Sequence, residues 1–108
     1  MMIKDDVFHI YMAEDDAEDQ QIFRDAIASL QENIKITMFP NGLDLLNELQ
    51  ANTLKPNVIF LDLFMPRLNG EESLTEIRKS TAFDDIPVVI FSNPVSYTHL
   101  TLPTICSV

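Results

Sequence analysis

The stretch Asn57-Val58-Ile59-Phe60-Leu61-Asp62-Leu63-Phe64-Met65-Pro66-Arg67-Leu68-Asn69-Gly70 decides the fold. It opens as an apolar run of the branched and aromatic residues that strands favour. A run without polar alternation is the pattern of a strand covered on both faces of a parallel sheet. One carboxylate, Asp62, falls into it, and the turn signals Pro66 and Asn69-Gly70 follow. A charge there is costly unless it sits at the strand's end beside a metal, a donor or water. The carboxyl ends of strands are where open α/β sheets bind ligands. Asp62 therefore reads as a reactive side chain.

Outward from this stretch the chain alternates strands with helices. Val7 to Ala13 reads as a first, mostly buried strand, and His9 within it as a packed strand residue rather than a ligand. Glu14-Asp15-Asp16 follow at a strand-to-helix junction. Asp16, Glu18 and Asp19 are explained as a helix cap and first-turn acids, whereas Glu14 and Asp15 come too early for that role. From Ala17 to about Leu30, helical spacing sets Ile22, Phe23, Ala26, Ile27 and Leu30 inward. Ile34 to Phe39 alternates, as an edge strand does. Leu43, Leu45, Leu46 and Leu49 give a short helix. After the central strand, Asn69 is placed to cap a helix from about Gly70 to Lys79, with Leu74 and Ile77 inward and Arg78-Lys79 at its end. Thr81 to Asp85 reads as a polar loop, and Ile86 to Phe91 as another buried strand closing on Ser92-Asn93-Pro94. Strand-helix alternation implies right-handed crossovers and a parallel sheet with helices on both faces.

Composition narrows the function. A chain of 108 residues holds one domain. Its net charge of −10 argues against nucleic acid and against an anionic membrane surface. The single cysteine, Cys106, cannot form an internal disulfide. The acidic N-terminus lacks the basic and long apolar regions of a signal peptide, and no segment reaches the roughly 18 apolar residues of a membrane span. A cytoplasmic location is expected.

In such a sheet three polar clusters share one edge: Glu14 and Asp15, Asp62, and Ser92. Carboxylates brought together repel and raise one another's pKa unless a cation joins them. Oxygen-only ligands suit Mg²⁺. A Mg²⁺ beside a lone carboxylate and a hydroxyl points to phosphoryl chemistry, with Asp62 as nucleophile and Ser92 hydrogen-bonding a phosphoryl oxygen.

The segments Tyr11 to Asp16, Ile59 to Gly70 and Ile86 to Ser92 resemble the three signature segments of bacterial response-regulator receiver domains. The resemblance covers Val7 to about Asn93. It implies a flavodoxin-like doubly wound sheet of order 2-1-3-4, and a histidine kinase or phosphotransfer protein that donates to Asp62. It further implies Asp15, Asp62 and the Phe64 backbone carbonyl as Mg²⁺ contacts, Glu14 acting indirectly or through water, Ser92 as switch hydroxyl, and signalling by protein–protein contact with a downstream partner the sequence does not identify. The implied role is that of a phosphoacceptor, with at most self-catalysed phosphorylation and dephosphorylation, and not of an enzyme acting on other substrates. Two other classes stay in view. An Mg²⁺-dependent phosphohydrolase with an aspartyl-phosphate intermediate wants a second acid two residues after the nucleophile, where this chain has Phe64. A degenerate binding module is opposed by the intact Glu14, Asp15, Asp62 and Ser92, whereas the absence of the family's lysine speaks for it in this particular chain.

After Asn93 the resemblance ends, so the domain is expected to span 1–93, incomplete at its C-terminus, with 94–108 an atypical tail. A receiver domain would continue with a fourth helix, a fifth strand ending in Lys-Pro and a fifth helix. Residues 94–108 instead contain no Asp, Glu, Lys or Arg, and Pro103 interrupts any strand. Two readings of the tail stand: a genuine strand-like segment covering the edge left by the fourth strand, or a stretch that is not native coding sequence, similar to translated adapter read-through. Its composition favours the second. The family's lysine has no counterpart here, and Lys55 and Lys79 stand in the wrong places. With an open strand edge and unburied helix faces, the isolated chain is expected to be poorly folded or self-associating. A sharp, reversible, concentration-independent melt of a monomer would contradict this.

Overall fold

A computed structural model of the chain describes residues 7–30, 33–51, 54–92 and 104–107. The N-terminal segment read above for a leader, and the tail over 93–103, lie outside them. The elements run β1 (Phe8–Ala13), α1 (Ala17–Ala28), β2 (Ile34–Phe39), α2 (Gly42–Ala51), β3 (Val58–Asp62), α3 (Gly70–Arg78), a 3-10 turn (Thr81–Phe83), β4 (Val88–Ser92) and β5 (Thr104–Ser107). The first four strands are parallel in the order β2-β1-β3-β4, as expected of a flavodoxin-like sheet. Register sets Ala13 against both Phe39 and Leu61, and Asp62 against Phe91, so three strand ends meet at one edge.

Side chains alternate across a strand, and here the alternation sorts two unlike faces. Tyr11, Ala13, Ile59, Leu61, Val88 and Ile90 point to one side, where Leu45, Leu46 and Leu49 of α2 and Ile77 of α3 close a continuous core over them. Tyr11 fits edge-to-face between the rings of His9 and Phe39. Phe60 points the other way and meets Phe23 of α1, ring centres 5.1 Å apart. That second face is covered mainly over β1, where Ile10 and Met12 are buried. Among the described residues α1 is its only helix, and none of the helix's residues is buried. Ile22 (64% exposed) and Leu30 (54%) therefore stay in contact with water instead of turning inward as the spacing predicts, and Ala26 is exposed too. A single helix reaches a sheet along one line of contact, which Phe23 and Ile27 occupy as half-buried residues.

Three further details depart from the sequence reading. The polar loop over Thr81–Asp85 contains a 3-10 turn capped by Ser80, and it buries Phe83 against the core. The fourth strand starts at Val88 rather than Ile86, because Ile86 N–H turns back to Phe83 O and Pro87 has no N–H to give. Beyond β4 the edge is not bare: Thr104–Ser107 pairs with it antiparallel, Ser92 against Thr104 and Val89 against Ser107. An edge strand leaves a row of donors and acceptors unpaired, and an antiparallel partner meets them without the helical crossover a parallel one requires. This is the placement that the edge-covering reading of the tail describes.

Helix α3 is tied at both ends. Asn69 and Glu72 form a reciprocal capping box. Near the other end, Arg78 donates from Nη1 to Phe83 O (2.8 Å) and from Nη2 to Ile86 O (2.9 Å), stapling the crossover into β4. Arg78→Ala removes two charge-assisted bonds, taking from the Ile86 carbonyl its bond to Arg78 while Phe83 O keeps Ile86 N–H. It is expected to cost about 2 kcal/mol in urea unfolding; a midpoint equal to that of the unsubstituted chain would show the staple to be idle.

Candidate functional site

β1 ends at Ala13, yet the ladder continues one step, with Glu14 N–H donating to Phe39 O at 2.9 Å. That extra step holds Glu14 at the sheet edge with its side chain 1% exposed. Asp16 then caps α1, accepting from the N–H groups of Glu18 and Asp19. Its own N–H donates to Glu14 Oε2 at 3.1 Å. The Gln20 side-chain amide reaches back from α1 to the Glu14 carbonyl at 2.6 Å. No sequence pattern marked Gln20; only the first turn of α1 folding over the strand end brings it there.

Asp62 ends β3 and is 4% exposed. Its Oδ1 accepts from Phe64 N–H at 3.2 Å, the turn an aspartate makes with the residue two ahead. Leu63 N–H donates to Phe91 O at 2.6 Å, which fixes the exit of the chain from the sheet. One carboxylate oxygen from each of Glu14, Asp15 and Asp62 lies within 4.8 Å of the others, with Asp15 exposed at the mouth and the other two buried. Ser92 stands half-buried at the end of β4, one residue beyond Phe91, the register partner of Asp62. Phe64 is 53% exposed and lines, with Leu63, Met65, Pro66 and Asn69, an open hollow of about 350 Å³ beside the acids.

His9 lies outside this cluster, its Nε2 within 2.7 Å of Thr37 Oγ1, and burial lowers its pKa. Lys79 pairs with Glu76 on the surface of α3, and Lys55 sits 5.3 Å over the Phe83 ring at the opposite edge of the sheet. Neither reaches the acids.

Electrostatics make the trio unsettled without a counter-charge. Burial pushes the Glu14 carboxyl up to about 9, with the neighbouring Asp62 adding to the rise. Burial raises Asp62 as well, while the Glu14 hydrogen bond and Phe64 N–H pull the other way. Both carboxyls are thus pushed toward their neutral forms, and burial makes two full charges side by side costly. Among the described residues no N–H or hydroxyl donor reaches the buried Glu14 Oε1, and the neighbouring group is the Asp62 carboxyl. A buried oxygen without such a donor, two further carboxylates and no sulfur or imidazole is a donor set that fits a hard divalent cation.

The model of the response regulator receiver domain family matches residues 10–101, running past Asn93. The chain belongs to that family. The receiver domain is 28% identical over 88 residues to the response regulator Rcp1 of Synechocystis, an alignment covering 77% of this chain and 60% of Rcp1. Its fold superposes with a TM-score of 0.75 on the phosphorylated cyanobacterial phytochrome response regulator RcpA, at 28% identity over 81% of this chain and 66% of that one. It also superposes, with a TM-score of 0.70, on the Mn²⁺-bound form of Rcp1, at 29% identity over 76% of this chain and 63% of the other. The receiver domain therefore spans less than two thirds of the length of these relatives. Among the described residues no helix is long and apolar enough to cross a membrane.

Proposed function

We propose that this receiver domain is a phosphoacceptor in a two-component phosphorelay, with Asp62 the acceptor, Asp15, Asp62 and the Phe64 carbonyl holding Mg²⁺, and Glu14 acting indirectly or through water. The convergence of the three carboxylates at the carboxyl edge of the sheet, with a buried Glu14 oxygen that meets no N–H or hydroxyl donor among the described residues, carries this reading. When bound, Mg²⁺ supplies the positive charge that neutralises phosphoryl oxygens. Asp62 attacks phosphorus through a carboxylate oxygen. The new P–O bond forms as the bond from phosphorus to the donor breaks, and the donor leaves with its electron pair. Phe64 N–H orients the attacking carboxylate from the side. Ser92, at the adjacent strand end, hydrogen-bonds a transferred oxygen. The physiological donor is a histidine kinase or phosphotransfer protein, and the output is protein–protein contact after the population shifts between two conformations.

Incubation with a small radiolabelled acyl phosphate and Mg²⁺ is expected to label the protein through an alkali-labile bond, and EDTA to suppress the label. Steady turnover of a phosphate ester, without label on the protein, would favour the hydrolase reading instead. Phe64, exposed where such an enzyme needs its second acid, supports the acceptor role.

A further inference from the structure

Two successive residues of the loop between β3 and α3, Arg67 and Leu68, have φ of 52° and 81°. Neither is glycine. A side chain at such φ crowds the neighbouring carbonyl, so the conformation persists only where its surroundings enforce it. The enforcing contacts come from two helices. Ser73, fully buried in α3, donates from Oγ to the Leu68 carbonyl at 3.3 Å. Gly42, the first residue of α2, backs onto the same carbonyl: a Cβ there would stand 2.6 Å from the Leu68 oxygen and would collide with Ser73 Oγ. At the other end of the loop, Gly70 N–H donates to Leu63 O, and a Cβ on Gly70 would stand 2.7 Å from the Asp62 carbonyl oxygen. The segment that leaves the sheet at Asp62 and presents Phe64 is thus seated at both ends. Its strained end is held by α2 and α3, neither of which supplies a carboxylate to the cluster.

We propose that Ser73 and Gly42 are positioning residues for the Glu14–Asp15–Asp62 metal site. They hold the left-handed Arg67–Leu68 turn, and through it the main chain of Phe64 against Asp62. The inference rests on the reading of that cluster as a cation site given above. If the clamp is released, the turn relaxes toward negative φ. The Phe64 N–H then leaves Asp62 Oδ1, and the Phe64 carbonyl leaves its place at the cation. Groups that orient ligands without touching the metal are commonly worth ten- to a hundredfold in metal affinity.

Mn²⁺, which takes the same oxygen ligands as Mg²⁺, tests this on the full chain. Its free concentration would be followed by electron paramagnetic resonance, with melting in EDTA measured in parallel. Ser73→Ala keeps the volume nearly unchanged and avoids the collision that Gly42→Ala would cause. It is expected to raise the Kd for Mn²⁺ about tenfold, with little change in the EDTA melt. Arg67 is exposed, and glycine in its place adopts positive φ without strain. Arg67→Gly combined with Ser73→Ala is therefore expected to bind Mn²⁺ within about threefold of the unsubstituted chain. A purely structural role for Ser73 would move the melt and would not be rescued by glycine in the turn. Mn²⁺ affinity unchanged in Ser73→Ala, or a double variant as weak as the single one, would overturn the positioning role alone. If the unsubstituted chain showed no Mn²⁺ binding that Asp62→Asn removes, the cation site itself would be refuted, and the clamp with it.

Discussion

Asp62→Asn is expected to abolish phosphoryl uptake from a small acyl phosphate, a fall of more than about a thousandfold, while raising the melting temperature of the metal-free protein. The first effect follows from chemistry. An amide oxygen is a poor nucleophile toward phosphorus, and the substitution also removes one of the three carboxyl groups placed to gather a cation. The second follows from the surroundings of Asp62, which is 4% exposed and close to Glu14 and Asp15. Burial raises its pKa, with Asp15 and Asp19 adding repulsion, so its charge is held at a cost. Asparagine has nearly the same shape, accepts Phe64 N–H through its amide oxygen and carries no charge. Loss of uptake with a gain in stability separates a chemical defect from a folding one. Measured together, label incorporation and a melt in EDTA decide the matter: labelling that survives Asp62→Asn would move the acceptor elsewhere.

The second large effect concerns pH. With Glu14 pushed up to about 9 from an ordinary 4.5, the metal-free folded state keeps a proton there that the unfolded chain gives up above about pH 4.5. Between these values the native state binds more protons than the unfolded one, so stability falls as pH rises. The proton shared with Asp62 and local relaxation reduce the full shift, and a loss on the order of 3 kcal/mol from pH 5 to pH 9 is expected. Glu14→Gln stays neutral throughout and should flatten that slope. Added Mg²⁺ acts in the opposite direction: its ligands must be deprotonated, so its binding strengthens with pH and releases a proton. Urea unfolding at several pH values, with and without Mg²⁺, measures all three slopes. The same slope in Glu14→Gln as in the unsubstituted chain would mean that another group carries the dependence.

Much of the fold and most of the site were legible in the sequence because their signals are local. The apolar run from Val58 to Leu61 ended by Asp62, the Asn69 cap with Glu72 three residues on, and Asp16 ahead of α1 each act within a few residues, and each took its expected place. The meeting of Glu14, Asp15 and Asp62 was also readable, since parallel strands joined by right-handed crossovers all end at the same edge. Burial was less legible. Ile22 and Leu30 have helical spacing fit for a core, but spacing states only which residues share a face and not whether anything packs on it.

What the sequence by itself determined is the parallel α/β architecture, the acidic edge and the place of Asp62 at the end of its central strand, because periodicity, turn residues and chain order suffice for these. Only the tertiary structure decided that Glu14 is buried beside Asp62 with its carboxyl pushed up, and that Gln20 grips its carbonyl. The tertiary structure also placed β5 antiparallel against β4, and set Ser73 and Gly42 over the strained Leu68 turn. Each of these depends on groups brought together from separate elements, and on the loss of water between them, which no local pattern of residues encodes.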